Sequence, residues 1–259
     1  MPFVSVKLSD GLGNRLFQVA AMLGYAEKHG HTPVFLDSRI LPNSHSGPHT
    51  ILDYFPDIPV LTKEKEEKEW MVLSQDADSV FTFVELPFVA TNVLLDGYFQ
   101  SEQYFPLFRI RPAILERSVL KPREDCIFMH VRRGDYLSPY TAHHRVDLSA
   151  YYRRALSLID PSFSILVCSD DMDWCRKELP RMHDVPRSRW IFLEYSDTDT
   201  LAAMKSCAGG ICANSTFSWW GAYFGARTEV YMPDTWGFPP LPPARDIYPP
   251  WATVLPCSL

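Results

Sequence analysis

The sequence predicts an α/β protein built on parallel sheet, and three observations carry that expectation. From Asp125 onward, short apolar runs alternate with amphipathic stretches at the spacing of βαβ units. The chain also opens on an apolar run, a glycine turn, a helical stretch and a second apolar run, a βαβ unit in itself. Finally, 259 residues, 46% hydrophobic and 22% charged, can bury a substantial core in one large domain or two small ones.

The elements follow in chain order. FVSVKL is the first strand, and SDGLGN turns into a helix from Arg15 to His29 with Leu16, Val19, Ala20, Leu23 and Ala26 on one stripe. Gly30 closes that helix, and TPVFLD is the second strand. LPNSHSGPHT is loop by composition, and TKEKEEKEW reads as a solvated helix face. CIFMHV then leads to a helix near LSAYYRRALSLI, FSILVCS to DDMDWCRKEL, and RWIFLEYS to TDTLAAMKSC. GGICA leads to FSWWGAYFGA, and EVYMP follows. The Pro-rich tail cannot form regular helix and is expected to wrap the surface. In parallel sheets covered on both faces, ligands bind beyond the carboxyl ends of the strands, so the chemistry belongs in those loops.

A formal net charge of −6 gives no broad attraction for nucleic acid or anionic membrane. No run approaches the roughly 18 apolar residues of a membrane span. The N-terminus lacks a secretory pattern, so the expected location is cytoplasmic. The cysteines form no C-x-x-C pair and read as reduced, buried thiols.

Four motifs bear chemistry. GLGN places Gly11 and Gly13 at a helix start, but Leu16 stands where a dinucleotide fingerprint needs its third glycine, although Asp37 sits where a ribose-binding acid would. The turn can still offer backbone N–H groups to a phosphate or sugar, with Asn14 adding an amide; a plain tight turn is the alternative. In HVRRGDY, Arg132 and Arg133 lie at the end of an apolar strand. Arginine forks two donors onto phosphate oxygens. One arginine on a diphosphate, with the other paired to Asp135, is therefore preferred over an adhesive Arg-Gly-Asp tip or a purely structural pair. Asp171-Met172-Asp173 and Asp197-Thr198-Asp199 match a short metal-binding pattern, but helix capping explains Asp170, Asp171 and Asp197, and Asp199 is a possible acceptor from a guanine edge. In ANSTFSWWGAYFG, Ser215 and Thr216 offer hydroxyls and helix N-terminal N–H groups to a phosphate; the bland reading is a capped helix with Trp219 and Trp220 in the core. Asn214-Ser215-Thr216 is also a glycosylation sequon by form.

Taken in order, GLGNRLFQ, GYFQSEQYF, HVRRGDY, YYRRAL, CSDDMDWC and ANSTFSWWGAY resemble the α-1,2-fucosyltransferase family, glycosyltransferase family 11, over nearly the whole chain. The resemblance implies a GT-B-like fold of two Rossmann-like domains facing a cleft. Residues 1–120 would form the acceptor side, and residues 121–259 the GDP-sugar-binding domain with its Pro-rich tail. It implies transfer of L-fucose from GDP-β-L-fucose to the 2-hydroxyl of a galactose-type glycan acceptor, with inversion and with neither metal nor other cofactor. It assigns catalysis to Arg132, on the β-phosphate of departing GDP, with Arg133 and Asp135 ordering the motif. Donor binding falls to Gly13, Asn14, His130, Arg132, Asp199, Ser215, Thr216 and Phe217. The chain departs from the family at Arg15, where glutamine is usual, and at Gly209, where histidine is frequent. The sequence names no general base; Asp10, His143, His144 and Asp147 are candidates, beside water and GDP's own phosphate.

Overall fold

In a computed structural model the described residues are 1–36, 49–61, 69–106, 109–116, 121, 123–226 and 228–258. Asp37 lies outside them, as does most of the expected loop and charge run before Trp70. The chain divides into two compact units, Met1–Arg117 with Arg245–Ile247, and Ser118–Ala244 with Tyr248–Leu259.

The first unit begins as the predicted βαβ: β1 (Phe3–Val6), α1 (Leu12–His29) and β2 (Thr32–Pro33), with β1 and β2 parallel. Gly11, in extended conformation, is the N-cap of α1, so the helix starts three residues before Arg15. Gly30 ends it in the left-handed conformation, φ 70°. The expected second strand breaks at Val34 into β2 and β3 (Phe35–Leu36), which pair with different neighbours. Helix α2 (Ile51–Tyr54) precedes β4 (Val60–Leu61), which pairs with β3. Strands β5 (Met71–Ser74) and β6 (Val93–Asp96) complete a parallel sheet of order β2-β1-β6-β5, and α3 (Ala113–Glu116) follows. β5 and β6 escape sequence reading because each is only four residues long and neither alternates: β6 is buried at three successive positions, β5 mostly exposed.

The second unit carries a six-stranded parallel sheet of order β12-β11-β10-β7-β8-β9. Its strands are β7 (Arg123–Val131), β8 (Ser164–Ser169), β9 (Trp190–Phe192), β10 (Cys207–Ile211), β11 (Glu229–Pro233) and β12 (Thr253–Leu255). Helices α4 (Ser149–Leu158), α5 (Met172–Met182), α6 (Asp197–Ser206) and α7 (Thr216–Phe224) connect them at the predicted places. Ile127, Met129, Ile165 and Val167 bury completely against Tyr151 and Ala155 of α4 and Cys175 of α5. Trp219 and Trp220 are fully buried, as the capped-helix reading required. The Pro-rich tail does more than wrap the surface. It supplies β12, parallel to β11 at the sheet edge, and Trp251, whose ring meets those of Trp219 and Tyr223. Proline has no N–H to give a ladder, and an edge strand tolerates such neighbours. Five of the cysteines are buried, and all six are free thiols. Among the described residues no helix is long and apolar enough to cross a membrane.

Candidate active site

Strand register assembles the second unit's site. β7 pairs with β8 so that Val131 stands opposite Ser169, which brings Arg132 and Asp170 side by side just beyond the carboxyl ends. Arg132 forks between two carboxylates, Nη1 to Asp170 Oδ2 at 2.9 Å and Nη2 to Asp135 Oδ1 at 2.6 Å. Its guanidinium also lies 5.4 Å from the centre of the Tyr136 ring. Arg133 turns the other way, as alternation requires. Its Nε donates to Asp171 Oδ2 at 3.0 Å, and its guanidinium lies 3.9 Å above the Trp174 ring. The backbone N–H of Arg133 donates to Asp170 Oδ1 at 2.8 Å, so one carboxylate holds both arginines. A Cβ on Gly134 would lie 2.5 Å from Asp170 Oδ2, so a side chain there would push the carboxylate off Arg132.

The expected division of labour is thereby corrected. Asp135 pairs with Arg132, not with Arg133, and Arg133 takes Asp171, because Asp170 and Asp171 cap the neighbouring strand end and reach one arginine each. Asp170 is no helix cap; Asp171 is, accepting from the Trp174 N–H at 3.2 Å. Both charged side chains of the Arg-Gly-Asp tripeptide are engaged inward, which removes the adhesive-tip reading.

On the other side of β7, β10 leads into α7. Ser215 caps the helix, its hydroxyl accepting from the Phe217 N–H at 3.3 Å, while Thr216 and Phe217 are half-buried. Asn214 is buried, and its amide donates to the carbonyls of His144 and Trp236, each at 2.9 Å. Its own carbonyl accepts from the Tyr136 hydroxyl at 3.1 Å. Tyr136, stacked on His144, is pushed up to about 12 by burial and stays a donor. His130 is buried beside Phe217, ring centres 5.7 Å apart, and its Nδ1 has no hydrogen-bond partner. Burial, reinforced by the Arg132 charge, pushes its pKa down to about 3, so the imidazole is neutral. An unpaired buried nitrogen next to a helix N-terminus is a vacant contact of the kind a ligand satisfies.

Beyond β8 and β9 opens a cleft of about 430 Å3, lined among others by Asp170, Asp171, Glu194, Tyr195 and Thr200. Asp199 sits one residue before Thr200, in the first turn of α6, where its carboxylate accepts from the Ser196 hydroxyl at 2.8 Å. Among the described residues no three His, Cys, Asp or Glu side chains gather as a metal cluster. Gly209 lies buried in β10, where a Cβ would come within 2.3 Å of the Glu229 carbonyl oxygen, so the frequent histidine has no room in this packing. Of the candidate bases here, Asp147 accepts from the Ser149 hydroxyl and, at 3.0 Å, from the Ser149 N–H, which together hold it below the usual carboxylate range. His144 stacks on Tyr136 and meets the His143 ring at a tilt.

The first unit positions Gly13 and Asn14 in the opening turn of α1, after an N-cap without a capping side chain. Asn14 Oδ1 accepts from Gln100 Nε2 at 3.0 Å. Arg15, the departure from glutamine, is buried, and desolvation lowers its pKa against the raising effect of Asp10. Sequence reasoning missed Asp170, Trp174, Tyr136 and Asn214 as braces of the arginines. The signal was the SDD that ends the strand adjacent to HVRRGD.

A sequence model described as Glycosyl transferase family 11 matches residues 3–237. The chain is 26% identical to an "Alpha-1,2-colitosyltransferase" of Escherichia coli over 86% of its own length and 88% of that protein. It is 27% identical to a "Galactoside 2-alpha-L-fucosyltransferase" of Caenorhabditis elegans over 90% of its length and 72% of that protein. Among solved structures, that of NodZ alpha-1,6-fucosyltransferase soaked with GDP-fucose is 14% identical, with a TM-score of 0.47 over 87% of this chain and 93% of that one.

Proposed function

The chain belongs to glycosyltransferase family 11, and on that premise we propose that it transfers L-fucose from GDP-β-L-fucose to the 2-hydroxyl of a galactose-type acceptor. The observation that carries the reading is Arg132, aimed by two carboxylates at the carboxyl end of β7, next to the N-terminus of α7. The similarity to a galactoside 2-α-L-fucosyltransferase supports the donor sugar and the linkage. In this proposal the units form a GT-B-like pair of Rossmann-like domains, the first serving the acceptor and the second GDP-fucose.

The step is a single displacement at the anomeric carbon, which inverts it. The glycosidic C–O bond breaks with its electron pair leaving on the β-phosphate of GDP, so negative charge grows there. Two carboxylates use two of the five N–H donors of Arg132 and fix the plane of the rest for phosphate oxygens. Backbone N–H groups at the start of α7, with Ser215 and Thr216, add positive potential, and neutral His130 offers a hydrogen bond without further charge. A preorganised donor of this kind lowers the barrier by about 3–4 kcal/mol. With that potential supplied by side chains and a helix end, the proposed reaction is metal-independent. Asp199 or its neighbour Thr200 reads the guanine edge at the cleft.

A second reading, transfer of another activated sugar, is favoured by the similarity to the colitosyltransferase. One experiment separates them: GDP release from a panel of GDP-sugars with lactose-type acceptors, in EDTA, for the native protein and Arg132→Ala. Acceptor-dependent release from GDP-fucose, reduced at least about 100-fold in Arg132→Ala, is the expected result. Full activity of Arg132→Ala, or turnover confined to a different GDP-sugar, overturns the first reading.

A further inference from the structure

In the first unit the order β2-β1-β6-β5 sets β1, the first strand of the chain, beside β6, the last of that sheet. Ligands of open α/β sheets lie beyond the carboxyl ends of the strands. At that end of β1 and β6 the two following loops are stitched together. Gln18 Nε2 donates to the Gly97 carbonyl at 3.2 Å, the Tyr98 hydroxyl to Asp10 Oδ2, and Gln100 Nε2 to Asn14 Oδ1 at 3.0 Å. Both loops are also braced from behind. Gln75 Oε1 accepts from the N–H groups of Tyr98 and Phe99, at 3.0 and 2.8 Å. Gln18 accepts from the Ser9 N–H at 3.0 Å and donates to the Ser9 hydroxyl at 2.8 Å.

The same corner gathers local costs that packing alone does not require. Asp10 and Phe99 have positive φ, 57° and 52°, the two non-glycine residues that do among those described. For a side chain as bulky as Phe this is an outlier, and such backbone concentrates where a ligand is held. Phe99 is fully buried and anchors its loop, with Tyr98 and Gln100 on either side of it. Gln100 is 5% exposed, and its Oε1 accepts no hydrogen bond. A buried acceptor left unpaired is a vacancy that a ligand donor fills. Asp10 is exposed, and Tyr98 takes one of its two carboxylate oxygens.

We propose that this corner of the first unit is a saccharide subsite, in which Asp10 and Gln100 accept from sugar hydroxyls and Tyr98 holds the carboxylate in position. The inference deepens the reading that the first unit serves the acceptor, and it rests on that reading for the identity of the bound sugar. Every residue it uses belongs to the one unit. Two acceptors call for a ligand rich in donors. A phosphate brings few and meets the like charge of the carboxylate, whereas a neutral sugar brings several hydroxyls. Tyr98 is pushed up to about 12 by burial and by its bond to Asp10, so it remains a donor and fixes one oxygen while the other faces the ligand. Asp10 is thus a binding residue and Tyr98 a positioning residue.

The test is lactose binding followed by NMR titration, with and without GDP, beside calorimetric affinity for GDP. Asp10→Asn tolerates the left-handed backbone and still accepts from Tyr98, so it removes the charge and little else. Asp10→Gly fits the same φ and removes the side chain altogether. A charged acceptor binds a hydroxyl far more strongly than a neutral one, so lactose Kd should rise at least about tenfold in both variants. Tyr98→Phe should raise it by about threefold, and GDP Kd should stay within about twofold of native in all three. Lactose Kd within twofold of native in a folded Asp10→Gly protein overturns the subsite, as does a loss that falls on GDP affinity instead. So does a native protein that binds GDP but neither lactose nor any other neutral saccharide. Lactose binding lost with Asp10, in a protein that turns over no GDP-sugar, would leave the subsite standing and sink the transferase reading.

Discussion

Replacing Asp170 by Asn removes one charge from the arginine clamp and leaves its shape almost unchanged. In the native protein Asp170 Oδ1 accepts from the Arg133 N–H at 2.8 Å, and Oδ2 accepts from Arg132 Nη1 at 2.9 Å. An asparagine keeps the first bond and sets an NH2 group against a guanidinium N–H in place of the second. A hydrogen bond to a charged group contributes about 1.5–3 kcal/mol. The two side chains are 20% and 25% exposed, and solvent screening trims the contribution to about 1–2 kcal/mol. Asp135 still holds the other Nη, so Arg132 stays in place but wobbles. The cost to kcat/KM for GDP-fucose is then about five- to thirtyfold. The assay is initial-rate GDP release at saturating acceptor, with GDP affinity measured in parallel and a thermal melt to confirm folding. A kcat/KM within twofold of native would refute the positioning role. So would tighter GDP binding, because it would mean that Asp170 competes with the diphosphate for Arg132.

Gly134→Ala should give the same defect, since the new Cβ would meet the Asp170 carboxylate, and combining it with Asp170→Asn should cost little more than either alone; additive losses would contradict this. His130 and His183 are held neutral by burial, with pKa values pushed down to about 3 and about 4. In the unfolded chain both protonate near the ordinary value of about 6.5, so the stability they contribute is whole above that pH and is lost as pH falls, toward about 4 for His183 and about 3 for His130. The expected slope is about 1.4 kcal/mol per pH unit for each histidine. Denaturation midpoints at pH 7, 6 and 5 should show it, and His183→Leu should remove one proton's share. Asn214→Leu leaves the buried carbonyls of His144 and Trp236 without their donor and should cost about 2–4 kcal/mol in urea denaturation; a loss below 1 kcal/mol would show that the loop has another support.

Much of the second unit is legible in the chain because its central strands β7, β8 and β10 are buried on both faces and read as unbroken apolar runs, as in CIFMHV and SILVCS. In the first unit the same logic fails at MVLS and VLLD, where short strands carry no period, and at TPVFLD, where two sheets share one extended run. The arginine clamp was half readable. HVRRGD announces two cations at a strand end, but which carboxylate meets which arginine depends on a register, Val131 opposite Ser169, that no local pattern encodes. Local pattern therefore makes Asp170 look like a helix cap, whereas its neighbour Asp171 is the one that caps. Tyr98 and Asp10 lie 88 residues apart in sequence, and only the pairing of β1 with β6 puts their turns together.

The buried amide of Asn214 has a bearing on the choice of expression host. Both of its protons are spent, on the carbonyls of His144 and Trp236, and the residue is 2% exposed. Yet Asn-Ser-Thr is a full acceptor sequence for N-linked sugar. A eukaryotic secretory pathway would meet the chain before that amide is sealed. An attached glycan would then replace one of the two protons and drag a bulky polar chain into a closed corner beneath the arginines. Material routed that way should emerge misfolded or be retained, and Asn214→Gln would not rescue it, because the longer side chain cannot repeat the same pair of bonds. Production in a compartment without that modification keeps the corner intact.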